Sequence, residues 1–396
     1  MNLMPLKKKS IHKESMPDPA GLYIHIPFCT RKCPYCDFYS STGVKLIPEF
    51  LNALFSEMHL RSGSLPEYDT IYLGGGTPSL LSIHNISQIV ENAYRLFNVA
   101  SDAEITVEVN PGTINLDKFK GYKSAGINRI NIGVQSFEDE KLKFLGRIHS
   151  SKEAIYSIKS ARKAGFGNLG IDLIYGIPGQ DRKTWLPELN AAVESGAEHI
   201  SCYILTYESG TRMDMERRKK KFKPLSDKLI TDLFETTIIF FSTSGYEQYE
   251  ISNFALSGKN STQDRKSKHN IKYWRSISYT GLGPSAHSFE NGIRFWNFSD
   301  TLKYIKITGK GNVPIEEREF LSEEQRIIEA IYLGLRRTEG IDIDSFDKKF
   351  SVKFRNKFKE IINFLQTGGL LKVDKNRCAL TKKGMIFHES ITAMFL

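Results

Sequence analysis

The stretch GLYIHIPFCTRKCPYCDFY, from Gly21 to Tyr39, decides the fold, because it joins an apolar strand to a loop with three cysteines. Cys29, Cys33 and Cys36 follow the spacing C-x3-C-x2-C. Thiolates are common ligands of iron–sulfur clusters, and a cubane cluster has four irons to ligate. Three cysteines in one short loop therefore predict a [4Fe-4S] cluster in which one iron has no protein ligand.

A zinc site is the alternative interpretation of this loop, with His25 as its fourth ligand. The loop lies between a predicted strand and the first helix of an alternating pattern, and this context favours the iron–sulfur cluster. Cys202 falls inside a predicted strand and Cys378 is predicted to be structural. Five cysteines with three clustered indicate a metal site in a reducing compartment rather than a disulfide framework. We therefore expect a cytoplasmic protein.

The composition is that of a globular protein large enough for a barrel-like domain and a smaller one. The chain has 396 residues, of which 40% are hydrophobic and 25% charged. Its net charge of +10 is spread over dispersed lysines, which favours a solvated surface over nucleic-acid binding. No apolar run reaches the length of a membrane span, although peripheral membrane contact stays compatible with the sequence. Residues 1–20 have no apolar core region and are expected to form a flexible tail.

Strands and helices alternate from Tyr23 to about Thr206. Such alternation predicts an α/β fold with a parallel sheet. Ligands of parallel α/β folds lie outside the carboxyl ends of the strands, so we expect the polar and glycine-rich motifs to meet at one edge. The six predicted strands are Leu22–Pro27, Thr70–Ser79, Glu104–Gly112, Arg129–Phe137, Asn168–Gly179 and His199–Thr206.

The second half of the chain follows a different pattern. Ser209–Asp227 is charged and predicts a solvated loop, and Tyr246–Phe254 alternates like one strand. From about Glu316, helices precede a short two-stranded segment, which is typical of a winged-helix-like module serving as a structural lid. The predicted domains are a tail at 1–20, a core barrel at 21–255, a connecting segment at 256–315 and a C-terminal helical domain at 316–396.

The cysteine motif, with Tyr35 just before Cys36, and the segment Gly74–Pro78 resemble the radical S-adenosylmethionine (SAM) superfamily. The resemblance implies a partial (β/α)6 TIM-like barrel. It also implies that the methionine part of SAM chelates the open iron and that an electron from the cluster cleaves a sulfonium carbon–sulfur bond. The protein would position cofactor and substrate and exclude water.

Seven segments resemble more specifically the oxygen-independent coproporphyrinogen III dehydrogenase family, over residues 20–390. They are IHIPFC, GGGTPS, VEVNPG, GVQSF, LGRIH, IDLIYGIPGQ and GLGPSAHS. The resemblance includes the C-terminal domain of that family. It implies a SAM site formed by Tyr23, Phe38, Gly75, Gly76, Thr77, Glu108, Gln135, Arg147 and Asp172.

One departure separates two branches of that family. The dehydrogenase carries a fourth cysteine, C-x3-C-x2-C-x-C, where this chain has Phe38. CPYCDF, together with the motif HNxxYW, is instead similar to heme chaperones related to the dehydrogenase. The motif suits heme, since histidine ligates heme iron and aromatic rings offer flat apolar surface. The resemblance thus implies a heme site at His269, Tyr273 and Trp274, whereas the residues alone favour a buried histidine in an aromatic turn.

The implied partners are heme, an unidentified heme-acceptor protein and an electron donor such as flavodoxin or ferredoxin. The alternative function is oxidative decarboxylation of coproporphyrinogen III, which converts two propionates to vinyl groups, and Phe38 disfavours it. A radical enzyme acting on RNA is disfavoured because no added RNA-binding domain is evident. No residue is assigned a catalytic role.

Overall fold

A computed structural model describes residues 18–257 and 264–396 of the chain. The tail predicted at 1–20 therefore lies, except for its last three residues, outside the described residues. One sheet of twelve strands forms the body of the protein. Its strands are β1 Ala20–Ile26, β2 Tyr68–Gly75, β3 Val99–Val109, β4 Arg129–Gln135, β5 Leu169–Tyr175, β6 His199–Ile204, β7 Tyr246–Gln248, β8 Asn253–Leu256, β9 Tyr279–Leu282, β10 His287–Glu290, β11 Ile293–Asn297 and β12 Ile315–Phe320.

The first six strands are neighbours in chain order and pair in parallel, with helices between them. This confirms the predicted partial (β/α)6 barrel. Local capping fixes several helix starts: Ser150 and Glu153 form a capping box at the start of the helix Ser151–Lys163. The helices of this half are α1 Ile47–Leu60, α2 Ile83–Leu96, α3 Leu116–Ser124, α4 Asp139–Phe144, α5 Ser151–Lys163, α6 Arg182–Glu194, α7 Arg212–Arg218 and α8 Asp227–Thr243.

Strand β1 is an interior strand of the sheet, and it pairs in parallel with β2 on one side and with β9 on the other. Leu22, Ile24 and Ile26 are completely buried, as expected for a strand covered on both faces. Beyond β9, antiparallel strands β10, β11 and β12 extend the sheet. At the opposite edge, β8 pairs antiparallel with β6, and β7 with β8.

Two expectations about the second half are wrong. Tyr246–Phe254 is not one strand but parts of the two antiparallel strands β7 and β8. Ser209–Asp227 is not a plain solvated loop, because it contains helix α7. The buried side chain of Asp214 organises that helix by accepting hydrogen bonds from Arg217 at 2.6 Å and Arg218 at 2.7 Å.

The C-terminal module combines helices with a small antiparallel sheet; the sequence predicted two of its strands, and the structure adds a third, Ile341–Asp342, before the hairpin. Its interior is built from aromatic contacts such as Phe346 with Phe354 and Phe358 with Phe395. The remaining elements are α9 Lys268–Trp274, α10 Thr301–Thr308, α11 Glu323–Arg336, β13 Ile341–Asp342, α12 Ile343–Phe350, α13 Phe354–Lys357, α14 Lys359–Thr367, β14 Leu371–Val373, β15 Arg377–Leu380, α15 Lys382–Ile386 and α16 His388–Ala393.

Helix α9, which carries the HNxxYW motif, packs against β1 and β2 at the interior of the open barrel. Its residues Ser267 and Asn270, at the N-cap and in the first turn, line a small polar cavity together with side chains of β2 to β6. The helix therefore closes the barrel interior. Within residues 18–257 and 264–396, no helix is long and apolar enough to span a bilayer.

Candidate functional site

The cysteine loop follows β1 and is tied to several elements. The backbone N–H of Cys29 donates to the carbonyl of Ser41 at 2.9 Å, and that of Met213 donates to the carbonyl of Pro34 at 2.9 Å. Gly146, after α4, lies so close to Pro34 that a Cβ there would be 2.4 Å from the proline ring. The fold therefore fixes the backbone of the loop before any ligand is considered.

The three cysteines are free thiols of intermediate burial, and two of them lie near groups from other parts of the fold. Cys29 Sγ is 3.4 Å from the hydroxyl of Thr77, and Cys33 Sγ is 4.0 Å from the carbonyl of Gly146. The guanidinium of Arg147 donates to Cys33 Sγ at 3.7 Å. The structure therefore places a cation beside one of the three candidate metal ligands.

The contacts of His25 disfavour the zinc site that was the alternative for this loop. Among the described residues, no group of three or more His, Cys, Asp or Glu side chains converges on one metal position. In a cluster each thiolate binds a separate iron, so such convergence is not needed. His25 is not free to complete a zinc site, because its ring bonds to the hydroxyl of Tyr23 and the carbonyl of Tyr39, both at 3.0 Å.

The other two cysteines lie in cores away from this loop. Cys202 belongs to β6 and Cys378 to β15, and both are buried. Burial raises the pKa of the Cys202 thiol well above its usual value. The three remaining cysteines share the loop after β1, and their role as cluster ligands stays a prediction.

Close packing requires the glycines at the end of β2, whether or not they also contact a ligand. Gly75 has a φ of +109°, and a Cβ on it would lie 2.7 Å from the ring of His25. A Cβ on Gly76 would lie 2.7 Å from the carbonyl oxygen of Phe28. These glycines let the end of β2 contact the strand that leads into the cysteine loop, and they leave backbone groups exposed beside it.

Two carboxylates predicted for the SAM site point into the barrel interior. Glu108 accepts hydrogen bonds from Tyr72 at 2.8 Å and from the N–H of Gly75 at 3.2 Å. Burial, with a smaller effect of the nearby Asp172, raises the pKa of Glu108 to about 7. Both carboxylates line the polar cavity of about 50 Å³ beneath α9.

Of the two carboxylates, that of Asp172 has fewer hydrogen-bond partners. It accepts from the amide of Asn131 at 2.7 Å, but its Oδ1 is buried without a partner among the described residues. Burial raises the pKa of Asp172 to about 6. An enclosed carboxylate with a spare acceptor is suited to receive a hydroxyl or ammonium donor of a ligand.

Arg147 and Gln135 lie between the carboxylates and the cysteine loop. Besides Cys33, Arg147 bonds the side chain of Asn110 at 2.9 Å and the carbonyl of Gly133 at 3.0 Å, while its Nε is buried and unpartnered within the described chain. Gln135 has a φ of +66°, a region that non-glycine residues seldom adopt. Such strain often marks residues that a site holds in place.

A larger cleft of about 370 Å³ opens beside the cysteine loop. Phe38 is 69% exposed there, which is unusual for a phenylalanine and leaves its ring available for contact. The cleft lies between the loop, strand β1, helix α9 and the β9–β10 connection. Its lining residues are Tyr23, His25, Asp37, Phe38, Tyr39, Tyr273, Tyr279, Ser285 and His287.

The three HNxxYW residues do not share one surface. The ring of His269 is buried, with Nδ1 2.8 Å from the hydroxyl of Thr70 and Nε2 2.9 Å from that of Tyr273. Burial, with a smaller effect of Lys272, lowers its pKa to about 3. Trp274 packs on Tyr249 with ring centroids 5.8 Å apart.

Of these three residues, only Tyr273 lines the cleft. The geometry disfavours the prediction that His269 ligates iron, because both its ring nitrogens already have partners and no surface reaches them. It agrees with the alternative of a buried histidine. His269 instead holds the hydroxyl of Tyr273 in place.

Several residues of this region were not singled out from the sequence. Tyr72 and Asn131 contact the two carboxylates, and Tyr279 and His287 line the cleft. For Tyr72 and Asn131, the available signal was the alternation of side chains along a strand, which turns every second residue towards the barrel interior. His287 stands in the GLGPSAHS segment, but its role in a wall of the cleft depends on the pairing of β9 with β1, which lie far apart in sequence.

Comparisons with known proteins agree with this architecture. Residues 23–191 match the Radical SAM superfamily, and residues 321–387 match the HemN C-terminal domain. The protein named heme chaperone HemW from Bacillus subtilis is 34% identical over 94% of this chain and 98% of its own length. The protein of the same name from Escherichia coli is 40% identical over 68% of this chain and 70% of its own length.

A solved structure shows the same fold. Coproporphyrinogen III oxidase (HemN) from Escherichia coli superposes with a TM-score of 0.80, covering 96% of this chain and 90% of that one at 24% identity. At this identity the likeness establishes the fold of barrel and C-terminal module and leaves the reaction open.

Proposed function

The chain belongs to the HemW family of the radical SAM superfamily, and from this membership we propose that it binds heme and passes it to acceptor proteins. The observation that carries the proposal is the aromatic cleft beside the cysteine loop, with Phe38 exposed at its wall. Flat apolar rings suit a porphyrin face. At the position of Phe38 the related dehydrogenase has a cysteine, so the chain offers apolar surface there instead of a thiolate.

The proposal includes a [4Fe-4S] cluster held by Cys29, Cys33 and Cys36. The fixed loop backbone and the neighbouring Arg147 support this assignment. When bound, the cluster would supply one-electron chemistry and an open iron for SAM. The chain's own contribution is to hold three thiolates in one orientation.

The proposal places SAM between the glycine segment and the barrel carboxylates. Gly75 and Gly76 present backbone groups without side chains, and Thr77 lies beside Cys29. Glu108 and Asp172 supply acceptors for hydroxyl or ammonium groups. Tyr23, Gln135 and Arg147 line or support the same region, and Phe38 lies on its cleft side.

Heme is proposed to occupy the cleft, with Tyr273 as the HNxxYW residue that faces it. His269 would act through Tyr273, and Trp274 would pack helix α9 against Tyr249. The further partners proposed are an acceptor protein and an electron donor such as flavodoxin or ferredoxin, in the cytoplasm. Nucleic acid is not proposed as a partner.

Anaerobically reconstituted protein tests this function. Titration with hemin should give saturable binding, followed by absorption spectroscopy, and bound heme should move to a heme-free acceptor protein. In parallel, the protein is incubated with coproporphyrinogen III, SAM and a reductant. Vinyl-bearing product in that assay, together with no saturable hemin binding, would replace the chaperone proposal with the dehydrogenase activity.

A further inference from the structure

The GLGPSAHS segment, residues 281–288, lies directly against β1 because its glycines leave no side chain in between. A Cβ on Gly283, which has a φ of +96°, would lie 2.4 Å from the carbonyl oxygen of His25. A Cβ on Gly281 would lie 2.0 Å from the carbonyl oxygen of His287. The start of β10 is therefore fixed beside the end of β1, at the cysteine loop.

His287, at that start, differs from the other histidines near the site. Its side chain is exposed to the cleft and no described hydrogen bond occupies either ring nitrogen, whereas both nitrogens of His25 and of His269 are engaged. The ring stacks on Trp296 with centroids 5.4 Å apart and planes at 27°. Partial loss of contact with water, with a smaller effect of Arg294, lowers the pKa of His287, which favours the neutral ring.

The wall beside His287 is aromatic and held in place. The hydroxyl of Tyr39 bonds the side chain and the backbone N–H of Thr301, both at 3.1 Å. Tyr279 packs edge-on against Tyr273 at 4.6 Å between centroids. A neutral imidazole with a free nitrogen thus borders a fixed set of flat rings.

We propose that His287 is an axial ligand of the heme iron, with Phe38, Tyr39 and Tyr279 contacting the porphyrin. The proposal rests on the proposed function and names the ligand within that same cleft. Histidine is the common protein ligand of heme iron, and stacking on Trp296 fixes the ring orientation. The carboxylate of Asp37 also lines the cleft, so the heme propionates would face away from it, towards solvent.

The test uses the full chain with its cluster reconstituted, and hemin as the probe. His287→Gly should weaken hemin binding by at least about tenfold and change the Soret band and the electron paramagnetic resonance spectrum of the heme. Imidazole added to the His287→Gly protein should restore the wild-type spectrum, which loss of a merely structural side chain would not allow. His84→Ala, at an exposed histidine of α2, is the matched control and should bind hemin normally.

The outcomes separate the ligand from the function. If the wild type shows no saturable hemin binding, the proposed function fails and the ligand proposal with it. If the wild type binds hemin, and His287→Gly binds it with unchanged affinity and spectrum, the function stands and His287 is not the ligand. If His269→Ala alone abolishes the wild-type heme spectrum while His287→Gly retains it, the ligand is His269, and the cleft must open on binding.

Discussion

At the scale of single residues, the five cysteines fall into two groups with different roles. Three cysteines lie on the fixed loop, and the two others serve as small apolar side chains in cores. The sequence could predict this division because the cysteine spacing is local. It could not predict that both nitrogens of His269 are occupied, because Thr70 lies about two hundred residues away in the chain.

Cys29→Ala should abolish the [4Fe-4S] cluster, because it removes one of the three ligands proposed for it. Iron and sulfide content and the visible absorption of anaerobically reconstituted protein measure the loss. Cys378→Ala is the matched control, since its thiol is buried in β15. A full cluster in the Cys29→Ala protein would contradict the ligand assignment.

Glu108→Gln should change how stability depends on pH. The folded protein raises the pKa of Glu108 to about 7, so between the unfolded value near 4.5 and pH 7 the folded state binds more protons than the unfolded state. The wild type therefore loses stability relative to the variant as pH rises through that window, by up to about 1.4 kcal/mol per pH unit.

Urea unfolding of the cluster-free protein at several pH values between about 4.5 and 7 measures this difference. Glu140→Gln, at an exposed carboxyl of α4, is the matched control. A difference between wild type and Glu108→Gln that stays constant with pH would show that the carboxyl is not held protonated.

At the scale of elements, the close packing of helix α9 on strand β1 depends on a glycine, Gly21, in the strand. A Cβ on Gly21 would lie 3.0 Å from the ring of His269, and that ring is held by Thr70 and Tyr273. A Cβ would push the ring by a few tenths of an ångström and strain these two hydrogen bonds. Close packing of α9 inside the barrel therefore favours glycine at residue 21.

Gly21→Ala should lower the free energy of unfolding by about 1–3 kcal/mol, the usual range for overpacking. Gly167→Ala is the matched control, because a Cβ there meets no atom within 4 Å. Thermal or urea unfolding measures both variants. If Gly21→Ala were as stable as Gly167→Ala, α9 would have room to shift, and the tight contact inferred here would be refuted.

The sequence predicted the elements of the barrel well and those beyond it less well. Helices such as α1 and α5 follow from apolar spacing and capping, and the parallel strands from β-branched runs between them. The break within residues 246–254 was missed because the polar alternation continues across it. The parallel pairing of β9 with β1 was missed because no local pattern encodes a contact between such distant segments.

At the scale of the whole molecule, a buried ion pair joins the C-terminal module to the barrel. Glu250, between β7 and β8, is fully buried, and the Nε of Arg336 in α11 donates to it at 3.0 Å. The side chain of Asn253 also donates to the same carboxylate at 2.5 Å. The module is therefore anchored to the barrel rather than tethered beside it.

Arg336→Ala should lower the free energy of unfolding by about 3 kcal/mol, because it leaves the carboxylate of Glu250 buried without its cation. Asp117→Ala breaks the exposed pair with Lys120 and should change stability by less than about 1 kcal/mol. Urea unfolding compares the two. Equal small effects would mean that water replaces the guanidinium at Glu250.

Strand β1 is hydrogen-bonded to a neighbouring strand on both sides, whereas an edge strand is bonded on one side only. The order of the strands in the sheet therefore predicts which strands open first. Amide hydrogen exchange should be fastest at the outer strands β7 and β12 and slow at interior strands such as β1, since edge strands open first. The cysteine loop continues from one of these slowly exchanging strands. Several strands at either edge of the sheet can thus open locally before the three loop cysteines lose their relative orientation.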